Sequence, residues 1–73
     1  MNRQAMIDKI SNAIKNAVEM ARKGHIENAG RIISMMYHRG LNYKQVCAIF
    51  QDAAGIDADE FEDISYQLDC AHF

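Results

Sequence analysis

Apolar residues recur along this chain at helical spacing in four stretches separated by short polar breaks. Ile7, Ile10, Ile14, Val18 and Ala21 form the first stripe, with Met6, Ala13 and Ala17 beside it and Lys9, Asn12, Lys15, Asn16, Glu19 and Lys23 opposite. This is the pattern of a one-faced surface helix, predicted over 2–23. Ile26, Ala29, Ile32, Ile33, Met35, Met36 and Tyr37 predict a second helix over 26–38. Their apolar arc, roughly 200° at about 100° per residue, is wider than one core face needs. Such a helix is either central or shared with a second chain, so Met35 and Tyr37 are the candidate self-association residues of a homodimer. A third helix is predicted over 43–54, capped by Asn42, with the stripe Tyr43, Val46, Cys47, Phe50, Ala53 and Ala54. The fourth is predicted over 58–71. Asp57 and Glu60 stand at capping-box spacing, Phe61, Ile64, Leu68 and Ala71 form the inward stripe, and Tyr66, Cys70 and Phe73 lie on another side.

Gly24, Gly40 and Gly55 each follow a periodic stretch, as residues just past a helix end do, and Gly30 falls inside one as a close-packing point. No stretch alternates strictly as a half-buried strand would. The expected fold is therefore all-α, a compact bundle of four short helices in one domain, 1–73. Its expected core is Ile7, Ile10, Ile14, Val18, Ile32, Ile33, Met36, Val46, Phe50, Phe61, Ile64 and Leu68. A 73-residue chain buries only roughly 60 % of its unfolded surface, so little stability is in reserve.

Charge changes the picture. Residues 1–50 hold all eight Lys and Arg and three acids, a net of +5, whereas 51–73 hold seven acids and no base. A solvated helix usually mixes signs so that residues four apart can pair. Glu62, Asp63 and Asp69 have no basic partner within their helix, and Tyr66 stands among them. An aromatic flanked by unpaired acids fits a protein partner with a basic surface, so Glu62, Asp63, Tyr66 and Asp69 are the candidate partner-binding residues. Pairing with the bases of the first two helices is the competing explanation.

Other chemistries fit less well. The segment GIDADEFEDI resembles the second half of an EF-hand calcium loop, but the first half would offer Ile49, Gln51 and Ala53 where a hard cation needs several oxygens. Cys47, Cys70, His25, His38 and His72 lack the paired short spacings of a zinc site, so no metal and no cofactor is expected. Two cysteines are too few for a disulfide framework, and Cys47 reads as a small core residue. Residues 43–66 have helix-turn-helix spacing, but the second helix would present Asp59, Glu60, Glu62 and Asp63 to phosphates. No nucleophile has an activating context and no glycine-rich phosphate loop is present, so no enzymatic activity is expected. The stretch MARKGHIENAGRIISMM resembles the turn between the two helices of a tetratricopeptide repeat. Gly24, Ile26, Ala29 and Ile33 fall where that family places a turn glycine, a packing aromatic, a small residue and a large one. The resemblance covers one hairpin, residues 16–37, and no second copy follows, so it implies a helical hairpin and no repeat array.

The expected function is that of a small, non-enzymatic interaction protein in the cytoplasm. Its size suits a regulator or inhibitor of the kind bacteriophages and mobile elements encode. The alternative is a small DNA-binding transcriptional regulator that uses the basic N-terminal half. No run reaches the roughly 18 apolar residues of a membrane span.

Overall fold

The computed structural model describes residues 3–71, which form α1 (Arg3–Arg22), α2 (Glu27–His38), α3 (Tyr43–Ala54) and α4 (Ala58–Ala71). The expected helix start at Asn2 and the placements of His72 and Phe73 lie outside the described residues. The chain is all-α, as its periodicity predicts. Among the described residues no helix is long and apolar enough to cross a membrane.

Local chemistry sets the helix ends. Helix α1 closes at Gly24 (φ 92°), whose N–H donates to the Ala21 carbonyl at 3.0 Å while His25 N–H donates to Met20 at 2.9 Å. Helix α2 closes the same way at Gly40 (φ 96°), with Gly40 donating to Tyr37 at 3.0 Å and Leu41 to Met36 at 3.1 Å. These paired bonds satisfy carbonyls at the helix end, and the left-handed backbone they require favours glycine. Gly55 likewise follows α3 in the left-handed region. Helix α2 begins one residue later than its apolar pattern suggests. Ile26 occupies the N-cap position and has no side-chain oxygen to offer.

Two helix starts share one device. Asn42 accepts a hydrogen bond from Gln45 N–H, and the Gln45 side chain accepts one from Asn42 N–H, both at 2.9 Å. At α4, Asp57 Oδ1 accepts from Glu60 N–H at 2.9 Å. In both cases the residue before the cap and the residue four past it pack inward. Val46, Ile56 and Phe61 are buried, and Leu41 packs against the core. This hydrophobic staple fixes the direction in which each helix sets off.

Helix α1 lies against α2 and α3, and α4 packs mainly on α3. The core gathers Ile14, Val18, Ile33, Val46, Phe50, Phe61 and Ile64, with Ala17, Ala21, Ala29, Cys47 and Ile56 filling the closer approaches. Phe61 packs tilted on Phe50, with ring centroids 5.2 Å apart, and meets the Tyr43 ring edge-on at 5.5 Å. Ala29 and Ile33 are buried and Ile26 packs against them, so the α1–α2 hairpin forms where the repeat-like motif implies one.

Two expectations about the core are overturned. Ile7 and Ile10, expected inside, are 48 % and 50 % exposed. Their face is the one expected, but the helices beside them cover only part of it. Helix α1 has 20 residues, about 30 Å at the standard rise, whereas α2 and α3 have 12 each, about 18 Å. The first turns of α1 therefore overhang the bundle and carry the apolar stripe into solvent. Tyr43, expected on the α3 stripe, is also exposed, because it stands in the first turn of its helix and covers only the edge of Phe61. Ile32, Met36 and Leu68 are partly buried at the rim.

Candidate partner-binding site

Helix α4 turns Phe61, Ile64 and Leu68 toward the core, which leaves Asp59, Glu62, Asp63, Tyr66, Asp69 and Cys70 exposed. Glu60 lies at the inner edge. Its carboxylate accepts two hydrogen bonds from Arg22, Nε to Oε2 at 2.7 Å and Nη2 to Oε1 at 3.0 Å. Hydrogen bonding to Glu60, followed by its charge, raises the guanidinium above its already high pKa. This fork ties the end of α1 to the start of α4 and diverts Glu60 from the reciprocal capping bond its spacing allowed. Among the described residues it is the ion pair that joins the basic half to the acidic half. Among the described residues Asp59, Glu62, Asp63 and Asp69 make no ion pair, so internal pairing accounts there for one acid of α4 and leaves four exposed.

The tertiary fold brings tyrosines to these acids. Tyr37 and Tyr43 bracket the α2–α3 turn and face α4 from the same side. Burial pushes the Tyr37 hydroxyl above its usual 10.0, and the negative charge of Asp69 adds to the shift. Burial also raises Tyr43, followed by Cys47, Glu62 and Tyr37, and the polar Ser65 beside it offsets part of the rise. Tyr66 stands between Glu62 and Asp69 on α4 and is 70 % exposed. The three tyrosines of the chain thus lie on the side of α4 that carries Glu62 and Asp69, whereas Asp59 and Asp63 lie toward α1.

A groove of about 450 Å³ separates α2 from α4, lined by Gly30, Ile33, Ser34 and Tyr37 on one side and Ser65, Leu68 and Asp69 on the other. Gly30 is buried, as its place inside the apolar pattern suggests, and forms part of the α2 wall. The Ser65 hydroxyl is buried beside the Tyr43 hydroxyl. An apolar wall, an aromatic rim and a carboxylate suit a long side chain with a cationic end.

The four residues singled out from sequence share the exposed side of α4 but do not form one cluster. Glu62 and Tyr66 are central, Asp69 leans to the α2 groove, and Asp63 faces Arg22 across a shallow depression on the α1 side. Tyr43 is the residue sequence reasoning missed, because its periodicity placed it in the α3 stripe. The signal was the pair Tyr37 and Tyr43 on either side of a glycine turn, which sets two aromatics at one end of the bundle. Met35 and Tyr37 lie on different surfaces. Met35 lines a cleft with Ile10 of α1, and Tyr37 lines the α4 groove. Among the described residues no group of three or more His, Cys, Asp or Glu is placed to hold a metal ion. No family model, no curated protein and no solved structure matches this chain.

Proposed function

We propose that this protein is a non-enzymatic interaction domain that recognises a protein partner with a basic surface. The contact centres on Glu62, Tyr66 and Asp69 of α4, extends to Tyr37 and Tyr43, and has Asp63 at its edge on the α1 side. The observation that carries this is that Tyr37 shares a groove with Asp69, Tyr43 packs on Phe61 next to Glu62, and Tyr66 lies one helical turn from both acids, neither of which has an ion-pair partner among the described residues. Unpaired acids speed encounter with a basic surface, and tyrosines supply contact area at low entropic cost. The α2–α4 groove accepts an arginine or lysine of the partner. Its aliphatic stem lies between Ile33 and Leu68, its charge meets Asp69, and the Tyr37 ring offers its face. A domain of this size whose outward chemistry is recognition acts as a regulator or inhibitor, in the style of phage and mobile-element proteins. The free thiols, Cys47 buried and Cys70 exposed, suit the cytoplasm.

Isothermal titration with a short arginine-rich peptide tests this reading. The parent protein should bind, and binding should weaken as salt screens the steering charges. Combining Glu62→Lys with Asp69→Lys should weaken binding by about tenfold or more at low salt and leave helix content intact, since neither side chain is in the core. Equal binding by parent and variant would refute the assignment. Binding of generic duplex DNA by the parent would favour the basic half instead.

A further inference from the structure

The overhang of α1 is a second interaction surface, built differently from the first. Met6, Ile7 and Ile10 on α1 and Met35 on α2 are 50 %, 48 %, 50 % and 51 % exposed. Half of four large side chains is roughly 400 Å², already comparable with the largest apolar patch of a typical monomer. The patch also has relief. Ile10 stands on a ridge between two clefts. One, of about 190 Å³, is lined by Ala13, Ile32, Met35, Met36 and Arg39, and is almost wholly apolar. The other, of about 240 Å³, is lined by Ile7, Ser11, Ile14, Ile49, Asp52 and Ala53.

We propose that a second copy of this chain covers this face, giving a two-fold dimer in which the α1 overhangs pack on one another. Two features of the surface select a copy over another occupant. The ridge and the clefts that would receive a ridge lie on the same face, which is the self-complementarity a two-fold interface requires. The rims are also oppositely charged, with Arg39 on the α2 side and Asp52 on the α3 side. A two-fold axis parallel to α1 sets the α2 side of each copy against the α3 side of the other, so each Arg39 meets the other copy's Asp52 and the contact occurs twice. The flanking clefts widen the contact toward the roughly 800 Å² per partner of a standard interface. This route uses Met35 and α1. It leaves Tyr37 outside the interface and the α4 face open in both copies.

Sedimentation equilibrium of the intact protein at micromolar and higher concentrations tests the proposal. The parent should be a dimer. Ile10→Glu should raise the dimer dissociation constant by about tenfold or more, and Met35→Glu should do the same from the other wall of the cleft. Both side chains are half in solvent, so each variant should keep the circular dichroism of the parent. Asp52→Arg and Arg39→Asp should each weaken the dimer, and the two together should restore it. Glu62→Lys should leave it unchanged. A monomer at every concentration would overturn the proposal. So would a dimer that survives both Ile10→Glu and Met35→Glu, or one that Glu62→Lys dissociates.

Discussion

Helices α1 and α4 carry apolar stripes of the same kind, and the stripes end differently. On α4, Phe61 and Ile64 are buried and Leu68 packs at the rim, because 14 residues lie along an α3 of comparable length. On α1, Ile14, Ala17, Val18 and Ala21 are buried while Met6, Ile7 and Ile10 stand half in solvent. The spacing of the residues is equally regular in both halves of α1. What differs is how fully the neighbouring helices cover them, since Ile7 and Ile10 only flank open clefts lined from α2 and α3. Periodicity identifies a face; the relative lengths of the packed elements decide how much of that face is covered. The outer sides of the two helices diverge as well. The outer side of α4 is acidic and aromatic, suited to a charged partner, whereas the uncovered turns of α1 are apolar and suited to another apolar surface.

Truncation gives the largest separation between the two halves of α1. Ile14→Ala should destabilise the fold by about 2–5 kcal/mol, because it opens a cavity in a fully enclosed site. Ile7→Ala, measured at a concentration low enough for monomers, should cost about 1 kcal/mol or less. Chemical denaturation of both variants checks this. Equal losses would mean that the overhang is packed as tightly as the rest of the helix.

A smaller effect separates the α4 side from the overhang at high pH. Tyr37 and Tyr43 titrate above 10.0 in the folded protein, chiefly because burial disfavours the phenolate, with nearby negative charge adding to it. The folded state therefore holds these protons more tightly than the unfolded chain does. The associated stability is fully present below pH 10 and is lost as pH rises through the folded values. Both rings are substantially exposed, so the loss should be slight. Thermal melts across the tyrosine titration should show a shallow decline that Tyr37→Phe together with Tyr43→Phe reduces.

Much of this fold is legible in the sequence because helix ends are local. Asn42, Asp57 and the glycines after α1, α2 and α3 act on residues within a few positions, and the expected bounds of α3 and α4, 43–54 and 58–71, match the structure. The expected core omits Ala17, Ala29 and Ile56. The two alanines stand within or beside the apolar pattern but offer little area to rank them as core, and Ile56 lies in a connection, where its burial depends on the staple to Phe61. The candidate site was half legible. Charge segregation singled out the outer acids of α4, but the approach of Tyr37 and Tyr43 depends on how the α2–α3 turn delivers both rings to a helix that begins 15 residues after Tyr43. The same limit applies to Glu60, which looked like a capping residue until α1 brought Arg22 to it.

The central claim is that the acids and tyrosines beside α4 form one recognition surface for a basic partner. Amide chemical-shift mapping during titration with an arginine-rich peptide tests it most directly. Shifts should concentrate at Tyr37, Tyr43, Glu62, Tyr66 and Asp69 and vanish in high salt, with Met6, Ile7 and Ile10 unmoved. Shifts centred on the α1 overhang, or none near α4 at low salt, would contradict it.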